Sequence, residues 1–130
     1  MVSDAPWVRE EVRSVIVSPD VTVDEIAQGA AVRAAVEDDA PDLVILDLQI
    51  GNMGGMAVCL DLRLEEGAGR LPHVPVLMLL DRRADVFLAR RSDAEGWLVK
   101  PLDPIRLGKA VRTLLAGGTF HDEAYKPQPV

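Results

Sequence analysis

The stretch Pro41-Asp42-Leu43-Val44-Ile45-Leu46-Asp47-Leu48-Gln49 limits the architectures open to this chain more than any other. Residues 43–46 are apolar without interruption. A strand with no polar face must be covered on both sides, as in a parallel sheet flanked by helices. The run ends in a carboxylate, Asp47, and a glycine-rich turn follows, Gly51-Asn52-Met53-Gly54-Gly55. Ligands of open α/β sheets bind outside the carboxyl ends of the strands, which places Asp47 where chemistry is done. On the local pattern alone, a plain capping role for Asp47 is equally open.

The flanking segments keep the same alternation. Val8, Val12, Val15 and Ile16 share one helical face and Pro6 suits a first turn, so a helix is predicted over 6–16. A rival first strand at Val15-Ile16-Val17 leaves only four residues before the β-like run Thr22 to Ala27. A parallel crossover takes a dozen or more, so 22–27 is read as the strand. Gly29 opens a second helix carrying Ala31, Val32, Ala35 and Val36, and Glu37-Asp38-Asp39 is its solvated end. Gly55 leads a helix through Met56, Cys59, Leu60 and Leu64 into the loop at 66–70. His73 follows, near Pro72 and Pro75 with no second ligand in sequence, and is read as a surface histidine.

Val74 to Leu80 is a second fully apolar strand, followed by Asp81-Arg82-Arg83 and a helix through Val86, Phe87, Leu88, Arg90 and Arg91. A short strand, Gly96 to Val99, ends in Lys100-Pro101. Asp103-Pro104 is a helix cap with proline at the first position. Leu107, Ala110, Val111, Leu114 and Leu115 then carry the last helix to Gly117-Gly118. Thr119 to Val130 shows no periodicity. The expected organisation is therefore one domain over 1–116 and a tail over 117–130, with no internal repeats.

Composition narrows the function. A net charge of −7 argues against general nucleic-acid affinity, since phosphate binding needs a basic footprint. No apolar run approaches the ~20 residues of a spanning helix, and no secretory signal precedes the first polar residues. A cytoplasmic protein without membrane partners is expected. Cys59, the single cysteine, lies among Met56, Val58 and Leu60 and reads as a small buried hydrophobe. Three strand ends carry Asp4, Asp47 and Lys100. Two carboxylates and a lysine can hold a divalent cation and balance charge on a transferred phosphoryl group.

On these residues the chain resembles a response-regulator receiver domain over roughly 1–116. The matching segments are Val2-Ser3-Asp4-Ala5-Pro6, Asp42 to Leu48 with Met53-Gly54-Gly55, and Trp97-Leu98-Val99-Lys100-Pro101-Leu102-Asp103. The resemblance implies a flavodoxin-like (βα)5 doubly wound parallel sheet in the order 2-1-3-4-5. It also implies phosphorylation of Asp47, Mg2+ held by Asp4, Asp47 and the backbone carbonyl of Gln49, and Lys100 on the phosphoryl oxygens. Only Met1 to Ser3 is left to form the central first strand. That strand is expected to be very short, or to continue upstream of Met1.

Departures from the family pattern make an atypical receiver. Ser3 stands where a second acid is usual, so Mg2+ binding is expected to be weak. Leu80 replaces a hydroxyl residue and Trp97 a smaller switch aromatic, while Gly51 replaces a proline. The expected function is a stand-alone receiver without a DNA-binding domain, phosphorylated by a histidine kinase or another signalling protein and acting through protein contacts. The alternative is a phosphorylation-independent interaction module. An enzyme on this fold is disfavoured because Gln49 stands where an Asp-x-Asp phosphatase needs an acid and a cobalamin module a histidine. By the resemblance, the fourth helix, last strand and last helix form a homodimer face. Arg82, Arg83, Arg90 and Arg91 are read more simply as solubilising charges.

Overall fold

The computed structural model describes residues 1–123. Its sheet holds β1 (Val44–Asp47), β2 (Val76–Leu80), β3 (Gly96–Val99) and β4 (Phe120–His121), all parallel and in that order. The helices are α1 (Pro6–Ile16), α2 (Val32–Asp38), α3 (Gly55–Gly67), α4 (Val86–Arg91) and α5 (Pro104–Leu115). The fold is α/β and flavodoxin-like, with helices on both sheet faces.

The two apolar runs behave as their composition demands. Every residue of β1 and β2 is buried. Ile45, Leu77, Leu79 and Leu98 pack against Val8 and Val12 of α1 and Leu107, Ala110, Val111 and Leu114 of α5. Their alternate neighbours Val44, Leu46, Val76, Met78, Leu80 and Trp97 pack against Val36, Val58, Cys59, Leu62 and Ala89 on the other face. The period of two thus divides one continuous apolar run between two cores. Helix α1 begins with proline in its first turn, and the Asp103 carboxylate caps α5 by accepting from the amides of Ile105 and Arg106.

The amino-terminal strand is as short as expected. Val2 makes parallel bridges to Ile26 on one side and Leu46 on the other, and is 2% exposed. Its amide donates to the carbonyl of Ile45 at 2.8 Å, and its carbonyl accepts from the amide of Asp47 at 2.9 Å.

Two expectations need correction. Thr22 to Ala27 is not a strand: within it only Ile26 pairs with Val2, because a partner three residues long offers no further edge. The predicted tail begins as structure, since Phe120 and His121 form β4 against Gly96 and Trp97. Residues 124–130 lie outside the described residues.

Candidate functional site

Asp47 is the last residue of β1 and is 2% exposed. The Gly-rich turn doubles back on it. A Cβ on Gly55 would lie 2.5 Å from the Asp47 carbonyl oxygen, so the start of α3 approaches this strand end more closely than any side chain allows. Burying an anion here requires partners. The Asp47 Oδ1 accepts from Lys100 Nζ at 2.8 Å, and its Oδ2 accepts from the Ser3 hydroxyl at 2.8 Å.

The direction of the second bond is fixed by the neighbours. The Ala5 amide, which can only donate, points at Ser3 Oγ at 3.1 Å, so the hydroxyl proton is left for Asp47. Ser3 is fully buried, and its carbonyl accepts from Arg9 Nη1 at 2.6 Å. Lys100 follows β3, and its amide donates to the Leu80 carbonyl at 2.8 Å. Its ammonium also reaches Asp81 Oδ1 at 3.1 Å. Burial pulls the Lys100 pKa down, but the hydrogen bonds and charges of Asp47 and Asp81 outweigh it and leave the ammonium above the usual lysine value.

Asp4 meets the loop that follows β1. It is exposed, and its Oδ2 accepts from the Gly51 amide at 2.8 Å. The side chain that touches Asp47 is its neighbour Ser3. Asp4 thereby grips the loop on which Gln49 lies, two residues before Gly51. Among the described residues no cluster of three acid, histidine or cysteine side chains is arranged for a metal. The hard-oxygen donors present fit a two-carboxylate Mg2+ site, not a three-carboxylate one.

Leu80 and Trp97 are fully packed. Leu80 is 0% exposed and offers no hydroxyl. Trp97 is stacked face to face on His121, with ring centroids 4.1 Å apart and planes 3° off parallel. The Arg90 guanidinium lies 5.5 Å from the Trp97 ring centroid. The sequence reading missed Ser3 as a hydrogen-bond donor, Asp81 as a second partner of Lys100, and His121 altogether. For the first two the signal was present, as polar residues beside strand ends that carry chemistry.

The family model of the response regulator receiver domain matches residues 1–112. The chain belongs to the response regulator receiver family. This receiver domain is 32% identical over 129 residues to the nitrate/nitrite response regulator protein NarL of Escherichia coli K12, covering 98% of this chain and 58% of that protein. It thus spans little more than half the length of that relative. An uncharacterized response regulatory protein of Mycobacterium tuberculosis is 38% identical over 97 residues, with 75% of this chain and 70% of that one covered. Among solved structures, a LuxR-family two-component response regulator from Aurantimonas sp. superposes with a TM-score of 0.78 at 28% identity, over 92% of this receiver and 84% of that chain. The receiver is a signalling module of two-component systems. Among the described residues no helix is long and apolar enough to cross a membrane.

Proposed function

We propose that this receiver accepts a phosphoryl group on Asp47 and transmits the modified state through its surface. The observation that carries the reading is the Asp47 carboxylate itself, buried at a strand end between the Ser3 hydroxyl and the Lys100 ammonium. An Asp47 oxygen attacks the phosphorus of a phosphohistidine or small phosphodonor. The bond to the donor's leaving group breaks with its electron pair, and an acyl phosphate forms. The attacking oxygen must first release its hydrogen-bond donor. Lys100 is placed to move from the carboxylate onto the phosphoryl oxygens, where a charge-assisted bond is stronger than a neutral one.

Asp4, Asp47 and the Gln49 carbonyl would hold Mg2+, weakly because Ser3 contributes no charge. When bound, the ion supplies positive charge beside the phosphoryl oxygens. A histidine kinase or another signalling protein is the expected partner. The face of α4, β3 and α5 is the expected dimer surface, with β4 of the same chain lying along the β3 edge.

A second reading, an interaction module indifferent to phosphate, rests on a specific observation. Leu80 cannot hydrogen-bond a phosphoryl oxygen, and Trp97 is held between Arg90 and His121. A ligand shifts a conformational equilibrium only by its differential interaction with the two states. Incubation with phosphoramidate and Mg2+ followed by intact-mass measurement separates the readings. One added phosphoryl group, lost in Asp47→Asn, supports the acceptor. An unchanged mass leaves the interaction module.

A further inference from the structure

The acceptor reading assigns no role to Asp81. This residue follows Leu80 directly at the end of β2. The backbone bond from the Lys100 amide to the Leu80 carbonyl sets the ends of β2 and β3 side by side, so Asp81 and Lys100 meet through the sheet and not through chance extension of long side chains. The ammonium has three N–H donors. One serves Asp47 Oδ1 at 2.8 Å and another Asp81 Oδ1 at 3.1 Å. Asp81 and Lys100 line an open cleft of about 520 Å3, together with Arg82, Arg83 and Arg106. Arg82 turns its guanidinium to Asp85, at 3.2 Å.

We propose that Asp81 is a positioning residue that shares Lys100 with Asp47 and competes with an incoming phosphoryl group for that lysine. The inference rests on Asp47 being the acceptor. A phosphoryl group brings further negative charge to a place where one ammonium already serves two carboxylates. To bind it, Lys100 must loosen its bond to Asp81, or the new anion must share the lysine with a like charge nearby. Either way Asp81 biases the site toward the unmodified state.

The test uses the full chain and beryllofluoride in excess Mg2+, with Asp81→Asn, Asp81→Glu and the unmodified protein compared. Asp81→Asn keeps the shape and removes the charge. It is expected to bind beryllofluoride roughly fivefold more tightly, the size of one near-surface charge interaction. Asp81→Glu is expected to return toward the parent affinity. The melting temperature of Asp81→Asn should barely move. A purely structural ion pair would lower the melting temperature of Asp81→Asn and leave the anion affinity unchanged. Equal beryllofluoride affinity in all forms overturns the competition while leaving the acceptor intact. Binding by none of them defeats the acceptor reading and the competition together.

Discussion

The hydroxyl of Ser3 and the carboxylate of Asp47, 44 residues apart in sequence, are joined by a 2.8 Å hydrogen bond inside the protein. A neutral donor here gives Asp47 a partner without adding a second negative charge to the strand ends. Ser3→Ala leaves a buried carboxylate oxygen without its donor. It should cost about 1–3 kcal/mol of folding free energy, read from denaturant midpoints. Ser3→Asp does the opposite chemistry. Two adjacent acids repel without metal, so the variant should be less stable in chelator and bind Mg2+ more tightly than the parent. Equal Mg2+ affinity in the two proteins would show that Ser3 does not set it.

Trp97 is held from two directions, by Arg90 and by the His121 ring of β4. Aromatic pairs of this kind contribute roughly 0.5–1.5 kcal/mol beyond the area they bury. His121→Ala should lose about that much stability and should open Trp97 to acrylamide quenching. Trp7, 71% exposed, would mask the signal, so the measurement belongs in a Trp7→Phe background. In that background, beryllofluoride should leave Trp97 emission unchanged, because repositioning a large ring in a close-packed layer disturbs its neighbours. A strong Asp47-dependent change in emission would mean that the aromatic moves after all.

The helices and the two central strands were legible because their signals are local. Pro6, Asp103-Pro104 and the i, i+3, i+4 spacing in α5 need no distant partner to be read, nor do the unbroken runs that became β1 and β2. What escaped depends on contacts across the chain. Thr22 to Ala27 has β-like composition, but of these residues only Ile26 pairs with the short first strand at Val2. Two residues, Phe120 and His121, are too few to show any period. His73 is exposed as expected, yet its Nδ1 faces Glu66 and its Nε2 lies 3.1 Å from Glu95. Arg63 also binds Glu95, through Nη2 at 2.8 and 2.6 Å to the two oxygens. In the site, Asp47 and Lys100 were legible because each ends a strand run. Ser3 was marked as a polar residue beside a strand end, but its partnership with Asp47 is set by the sheet.

The amino terminus makes stability depend on pH. The Met1 ammonium donates to the Asp24 carbonyl at 2.8 Å, and burial lowers its pKa, partly offset by the charges of Asp24 and Glu25. An amine with a lowered pKa in the folded state binds fewer protons there than in the unfolded chain. Stability therefore rises with pH between the folded value and the unfolded value of about 8, and this contribution is flat outside that window. Acetylating Met1, or extending the chain ahead of it, should abolish that slope and raise the melting temperature below the window. A chain whose slope and melting temperature are untouched by either change would contradict this account of the first strand.

The central claim is that Asp47 carries the phosphoryl group, and locating the modified residue tests it most directly. An acyl phosphate is reduced by borohydride to the corresponding alcohol, so the modified aspartate is trapped as homoserine and found by peptide sequencing in the mass spectrometer. After phosphoramidate treatment in Mg2+, homoserine is expected at position 47 alone, and absent when Lys100→Ala or Asp47→Asn replaces the parent chain. Homoserine at position 4 or 81, or at no position in the parent protein, would contradict the account.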